Sequence, residues 1–167
     1  VFYVFPTVQL RTYAAMARRF ARSYVDHPPG EWDHRVYVLV NGPMLPNLEQ
    51  VFEPLPCEFI NHDNSNKDLG AYFKAAELIP GDLMLCLGAP IRFRRAGWLD
   101  QIVNAYIDSG PGLYGSWGCH EPQPHIRTTG FFCAPDLINA YPSGGKSRYE
   151  MEHGKESLTV EQYDSAC

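Results

Sequence analysis

No apolar run in this 167-residue chain is long enough to cross a bilayer. The longest, such as Leu83 to Leu87, fall far short of the roughly 20 residues a membrane helix needs. Positive charge is in deficit as well. The 14 Lys and Arg against 19 Asp and Glu leave a net charge of −5, and a nucleic-acid partner needs a concentrated basic face. The one dense basic cluster, Arg92, Arg94 and Arg95, is expected to be a solvated turn. The 5 cysteines include no CxxC pair. Four of them lie in or beside apolar strand-like stretches, the pattern of reduced, buried thiols and not of a disulfide framework. No basic-then-apolar leader precedes the first strand pattern, so the expected compartment is the cytoplasm. A phosphate-binding fingerprint, whether GxGxxG or GxxxxGK(S/T), is not expected, and Gly42, Gly70 and Gly81 read as isolated turn glycines, so no dinucleotide or P-loop enzyme is expected. Neither does GxSxG occur, the elbow on which a serine hydrolase would present its nucleophile.

What remains is the composition of an ordinary globular domain, with 45% apolar and 20% charged residues. The length suits one domain with a real core. Because the chain opens at Val1 inside a strand pattern, the expectation is a single domain over 1–167, trimmed at one or both ends.

Apolar stretches alternate with helical patterns. "VFYVFPTV" (1–8), "HRVYVLVNGP" (34–43), "CEFINHDN" (57–64) and "DLMLCLGAP" (82–90) read as strands with little polar alternation. Between them "TYAAMARRFARSYVDH", a short "NLEQVFEP" and "LGAYFKAAELI" read as helices, with Thr12 and Asp68 as candidate N-caps. Ala71, Ala75 and Leu78 or Ile79 are expected on the buried side of the third. "AGWLDQIVNAYIDSGP" follows as a helix, "GLYGSWG" and "IRTTGFFCA" as strands, and "PDLINAYP" as a last helix before a polar tail. Such alternation implies an α/β three-layer sandwich on a mostly parallel sheet. Sheets of this kind bind ligands outside the carboxyl ends of their strands. Here those ends carry Pro6-Thr7, Asn41-Gly42-Pro43, His62-Asp63-Asn64 and Gly88-Ala89-Pro90.

Three segments carry candidate chemistry. "DNSNKDLG" (63–70) suits a nucleotide diphosphate, with Lys67 as a cation, Asp63 or Asp68 accepting from base or ribose, and helix-start N–H groups facing phosphate. It equally suits a helix cap with Asn64 and Asn66 tolerating an awkward backbone. "CHEPQPH" (119–125) offers Cys119, His120, Glu121 and His125 as metal-ligand types, but Pro122 and Pro124 forbid the helical spacing that would aim them together. "RYEMEHG" (148–154) supplies Glu150, Glu152 and His153, and a single carboxylate suffices as a general base.

The strings "HDNSNKDLGAY", "DLMLCLGAP…GWLDQIVNAY", "GPGLYGSWG…PHIRTTGFF" and "RYEMEHGKESLT", in this order over nearly the whole chain, resemble the GT-A glycosyltransferases. Bacterial glycosyltransferase-like proteins related to rhamnan-synthesis enzymes look most similar. The resemblance implies a nucleotide-diphospho-sugar transferase (GT-A) like fold that moves a sugar from a nucleotide-diphosphate donor to a glycan acceptor hydroxyl. It also implies that Pro6, Thr7, Asn41, Asp63, Asn64, Lys67, Asp68, Gly88 and Ala89 cradle the donor. Arg127 and Thr128 would contact donor sugar or acceptor, and Glu152, then Glu150, would be the base.

One departure stands out. The family holds Mg or Mn on an acidic motif at the end of the fourth strand, where this chain has Gly88-Ala89-Pro90. The diphosphate is then neutralised by cations such as Lys67 or Arg92, or a metal is held elsewhere, with His120, His125 and His153 as candidates. The remaining possibility is that transfer is lost and the chain is a catalytically silent binding module.

Overall fold

The computed structural model describes residues 1–8, 10–115, 118–119 and 125–140. Strands β1 (Phe2–Pro6), β2 (Tyr37–Asn41), β3 (Glu58–His62) and β4 (Met84–Leu87) alternate with helices α1 (Leu10–Asp26), α2 (Glu49–Phe52) and α3 (Lys67–Leu78). Beyond β4 come α4 (Trp98–Ser109), β5 (Tyr114–Gly115), β6 (Gly118–Cys119), β7 (His125–Ile126), β8 (Gly130–Cys133) and α5 (Pro135–Asn139). The main sheet has 6 strands in the order β3-β2-β1-β4-β8-β5, and β6 pairs with β7 apart from it. β1 to β4 are mutually parallel where they pair; β8 runs antiparallel to both β4 and β5.

The near-absence of polar alternation in the first strands has a simple cause: both faces of the sheet are covered. Val1 and the β1 residues Tyr3 and Phe5 join Val38 and Val40 of β2 and Leu85 and Leu87 of β4 on one face, under α1, α2 and α4. Their neighbours Phe2, Val4, Tyr37, Leu39, Met84 and Cys86 meet α3 and α5 on the other. Aromatic rings fill the first layer. Tyr3 stacks on Phe20 of α1 with centroids 4.1 Å apart, and Phe5 meets Phe52 of α2 edge-on at 5.5 Å. On the second face α3 comes close because its buried stripe is Ala71, Tyr72, Ala75 and Ala76. Of Leu78 and Ile79, the two candidates to continue that stripe, Leu78 is 56% exposed and Ile79 is the one that packs, partly buried, against this face.

Element positions follow the sequence reading, with differences that have local causes. The expected strand over 126–134 is broken by a turn at Thr128-Thr129, so β7 and β8 belong to different sheets. The segment Gly110-Pro111-Gly112-Leu113-Tyr114-Gly115 fits GxGxxG as a string, contrary to the expected lack of any such fingerprint. It lies after α4 and leads into β5, the reverse of the strand-to-helix order that a dinucleotide pyrophosphate requires. Cys57, Cys86 and Cys133 are free thiols. Burial pushes the Cys57 and Cys133 thiols up to about 11, which leaves them protonated and inert.

Candidate functional site

β1, β2 and β3 end in register, and polar bonds tie their tips across the sheet; β4 ends earlier, its last residue Leu87 pairing with Tyr3. The Thr7 N–H donates to the Asn41 carbonyl at 3.1 Å, and its hydroxyl reaches the same oxygen at 3.3 Å. One residue on, the Gly42 N–H donates to the His62 carbonyl at 2.8 Å. Gly42 has φ +123°, and a Cβ there would lie 2.2 Å from Thr7 Oγ1. Glycine is therefore required for β1 and β2 to close on one another at this point. Asn41 itself is only 1% exposed, and its carboxamide faces the buried His62 ring.

His62 was not among the expected donor-site residues, although it stood in the strand-end cluster. The usable signal was position: it is the last residue of β3, paired in register with Asn41. Its Nδ1 lies 2.8 Å from Asn41 Oδ1, and the Asn64 N–H points at the same nitrogen from 3.2 Å. The two neutral tautomers ask different things of these neighbours. A proton on Nδ1 is donated to Asn41 Oδ1; a proton on Nε2 leaves Nδ1 to accept from Asn64. Desolvation pushes the His62 pKa down, opposed by Asp63 and reinforced by Lys74. Burial wins, and the ring is held neutral.

The loop after β3 is organised by its own polar groups. Asp63 Oδ1 accepts the Ser65 N–H at 2.9 Å and the Ser65 hydroxyl at 2.5 Å. Those bonds hold its carboxyl below the ordinary range. Asn64, Asn66 and Lys67 have φ of 69°, 54° and 51°. Asparagine tolerates the left-handed region, but lysine adopts it only when its surroundings impose it. Asn66 occupies the N-cap position of α3 without a side-chain cap bond. Asp68, expected as the cap, instead lies within the first turn, partly buried. Desolvation raises its pKa and neighbouring Lys67 opposes the rise. Gly70 lets the helix meet the loop, since a Cβ there would stand 2.0 Å from the Ser65 carbonyl oxygen.

At the fourth tip, the buried Tyr3 hydroxyl donates to the Ala89 carbonyl at 2.8 Å. The Gly88 N–H donates to the Thr129 carbonyl at 3.0 Å, while the Tyr72 hydroxyl donates to that of Thr128 at 3.2 Å. The turn carrying Arg127 and Thr128 is thereby fastened beside the end of β4. A divalent ion held in the usual family manner does not fit here. Gly88, Ala89 and Pro90 bring no carboxylate, and among the described residues no group of three or more His, Cys, Asp or Glu could hold a metal ion. Arg92 departs from the tips to flank α1 beside Arg19. Glu150, Glu152, His153, His120 and Glu121 lie outside the described residues, as does the side chain of His125.

Pro6-Thr7, Asn41 and His62 thus lie together at the carboxyl end of three parallel strands, followed by the 63–68 loop, while Gly88-Ala89 and the turn at 127–129 are joined beside the end of β4. No protein-family model matches the sequence, and no curated protein matches it. Solved structures do. HddC from Yersinia pseudotuberculosis superposes with a TM-score of 0.56 at 12% identity, covering 99% of this chain and 96% of its own. Mouse xyloside xylosyltransferase 1, in its apo form, superposes with a TM-score of 0.57 at 8% identity, covering 86% of this chain and 68% of its own.

The fold is GT-A-like.

At these identities the likeness is one of architecture. Open α/β sheets bind ligands outside the carboxyl ends of their parallel strands, and the polar network described above lies at that end.

Proposed function

We propose that this chain binds a nucleotide-diphosphate sugar across the tips of β1 to β4 and transfers the sugar to a glycan acceptor. The observation that carries the reading is the hydrogen-bonded set Thr7, Asn41, Gly42 and His62, which joins three consecutive strand ends into one polar edge. Pro6, Thr7, Asn41, Asp63, Asn64 and Asp68 are assigned to base and ribose. Lys67 and the first N–H groups of α3 are assigned to the diphosphate, whose charge suits a helix N-terminus. Gly88 and Ala89 floor the site, with Arg127 and Thr128 toward the transferred sugar or acceptor.

In this reading an acceptor hydroxyl attacks the anomeric carbon and its oxygen forms the new glycosidic bond. The bond to the nucleoside diphosphate breaks, and that product leaves with the electron pair. The hydroxyl proton passes to a carboxylate, assigned to Glu152 with Glu150 as second choice and His153 beside it. No step is routed through Mg or Mn. Among the described residues no helix is long and apolar enough to cross a membrane. Free, protonated thiols support a reducing cytoplasmic setting, and resemblance in sequence supports a bacterial polysaccharide as the product.

A second reading has one observation in its favour. The β4 end is apolar and closed by the Tyr3 hydroxyl where the family places acidic ligands. A silent sugar-nucleotide-binding module fits that arrangement. Calorimetric titration with UDP-, GDP- and dTDP-sugars, with and without Mn, tests both, followed by a transfer assay on glycan acceptors. Donor binding with transfer supports the enzyme, and binding without transfer supports the module. No binding of any donor overturns both.

A further inference from the structure

Two adjoining grooves of about 430 and 390 Å³ run along the flank of α1, and Arg19, Arg92 and Arg94 line both. Arg22 joins them in the second, together with Asp26. The sequence placed Arg92 and Arg94 in a solvated turn. The fold sets that turn against two further arginines spaced i, i+3 on α1, which face one way. The turn is fixed in place. Phe93 stacks on Trp98 with centroids 3.8 Å apart, and its N–H donates to the buried Ser23 hydroxyl at 3.0 Å. With Ile91 and Phe93 turned toward the core, Arg92 and Arg94 point outward beside α1.

Four like charges on one surface repel, and the usual remedy is interleaved carboxylates. Among the described residues, Arg19, Arg22, Arg92 and Arg94 have no ion-pair partner. This occurs in a chain whose net charge is −5, so the concentration runs against the overall balance. Guanidinium groups match phosphate oxygens in a two-pronged geometry, and two or more converging forks suit a group bearing at least two negative charges.

We propose that this groove is a binding site for a phosphomonoester or diphosphate group, carried by a soluble molecule or by a lipid headgroup at a membrane surface. Pro90, just beyond β4, borders the first groove, but the four arginines lie along the flank of α1 and the proposal does not depend on the strand-tip reading.

The test titrates the whole chain with inorganic pyrophosphate by calorimetry, and in parallel with sedimented vesicles of phosphatidic acid in phosphatidylcholine. Binding of either probe is expected, weakening with salt. Arg92→Ala/Arg94→Ala and Arg19→Ala/Arg22→Ala are each expected to weaken it roughly tenfold or more, the scale of losing charged hydrogen bonds. Arg11→Ala/Arg18→Ala, which removes the same charge from α1 outside the groove, is expected to change affinity less than threefold. Circular dichroism confirms that each variant is folded. Response to pyrophosphate identifies a soluble phosphate ligand, and response to vesicles alone identifies a headgroup. The proposal is overturned if neither probe binds or if the Arg11/Arg18 pair weakens binding as much as the groove pairs. It is equally overturned if binding survives both groove variants and is lost in Lys67→Ala, which would place the phosphate at the strand tips.

Discussion

Asn41 and His62 end adjacent parallel strands in register, and the carboxamide oxygen of one lies 2.8 Å from Nδ1 of the other. Both side chains are buried. In a parallel pair, register partners point the same way, so strand pairing itself brings these two polar groups together at the sheet end. Every other β2 residue is apolar. A buried polar pair amid that strand stabilises only while both members are present.

Asn41→Leu leaves His62 Nδ1 without its side-chain partner in a buried place. The expected loss is about 1–3 kcal/mol, read as a lower urea midpoint at pH 7.5. Adding His62→Leu to Asn41→Leu is expected to cost less than the sum of the single changes, because the orphaned group goes too. Strict additivity would show that the two side chains do not interact.

The lowered pKa of His62 fixes the sign of a pH effect. The folded ring gives up its proton more readily than the unfolded one, whose ordinary value is 6.5. Below that value the unfolded chain binds more protons, so stability falls as the pH drops from 6.5 toward the folded pKa. Above 6.5 the group contributes no slope. His62→Gln is expected to flatten this part of the profile, as followed by thermal melts between pH 7.5 and 5. An unchanged slope in the variant would assign the acid sensitivity to other groups.

Gly70→Ala tests whether α3 must approach the loop as closely as it does. The new Cβ would meet the Ser65 carbonyl oxygen at 2.0 Å and His62 Cε1 at 3.0 Å. Backbone cannot yield as a side-chain tip can, so a cost of about 1–3 kcal/mol is expected despite alanine's better helix propensity. The loop should shift with it, weakening donor binding. A variant as stable as the parent with unchanged affinity would mean that the loop has room to spare.

Much of this architecture was legible beforehand. Strands buried on both faces lack polar alternation, and Val38, Leu39 and Val40 announce such a strand without any knowledge of their partners. The expectation of a candidate site at the strand ends follows from topology alone. Features set by tertiary contact were hidden. Nothing local distinguishes Asp68 from a cap, since a left-handed backbone at Asn66 and Lys67 starts the helix earlier than propensity implies. A histidine ending a strand carries no signal by itself; His62 gains one only from the pairing that sets Asn41 beside it. Arg19 and Arg22 lie on the exposed side of α1, and only the folding of the turn after β4 sets Arg92 and Arg94 beside them.

Asp68 separates a functional site from a structural accident. Two effects oppose one another at its carboxyl: the helix start and Lys67 favour the charged form, and burial disfavours it. Burial is the larger, so the folded pKa lies above the ordinary 3.8. A raised carboxyl contributes its full stability below that ordinary value and loses it as the pH climbs through the folded pKa. At pH 7 the charged carboxylate is therefore a net cost. Asp68→Asn is expected to raise the melting temperature at pH 7, with the advantage shrinking toward pH 3.5. If the carboxylate accepts a hydroxyl of the donor ribose, the same change should weaken donor binding by roughly tenfold or more. Greater stability with poorer binding would mark a residue kept for its chemistry. Greater stability with unchanged binding would remove Asp68 from the donor site and leave Lys67 and the α3 N–H groups to hold the diphosphate.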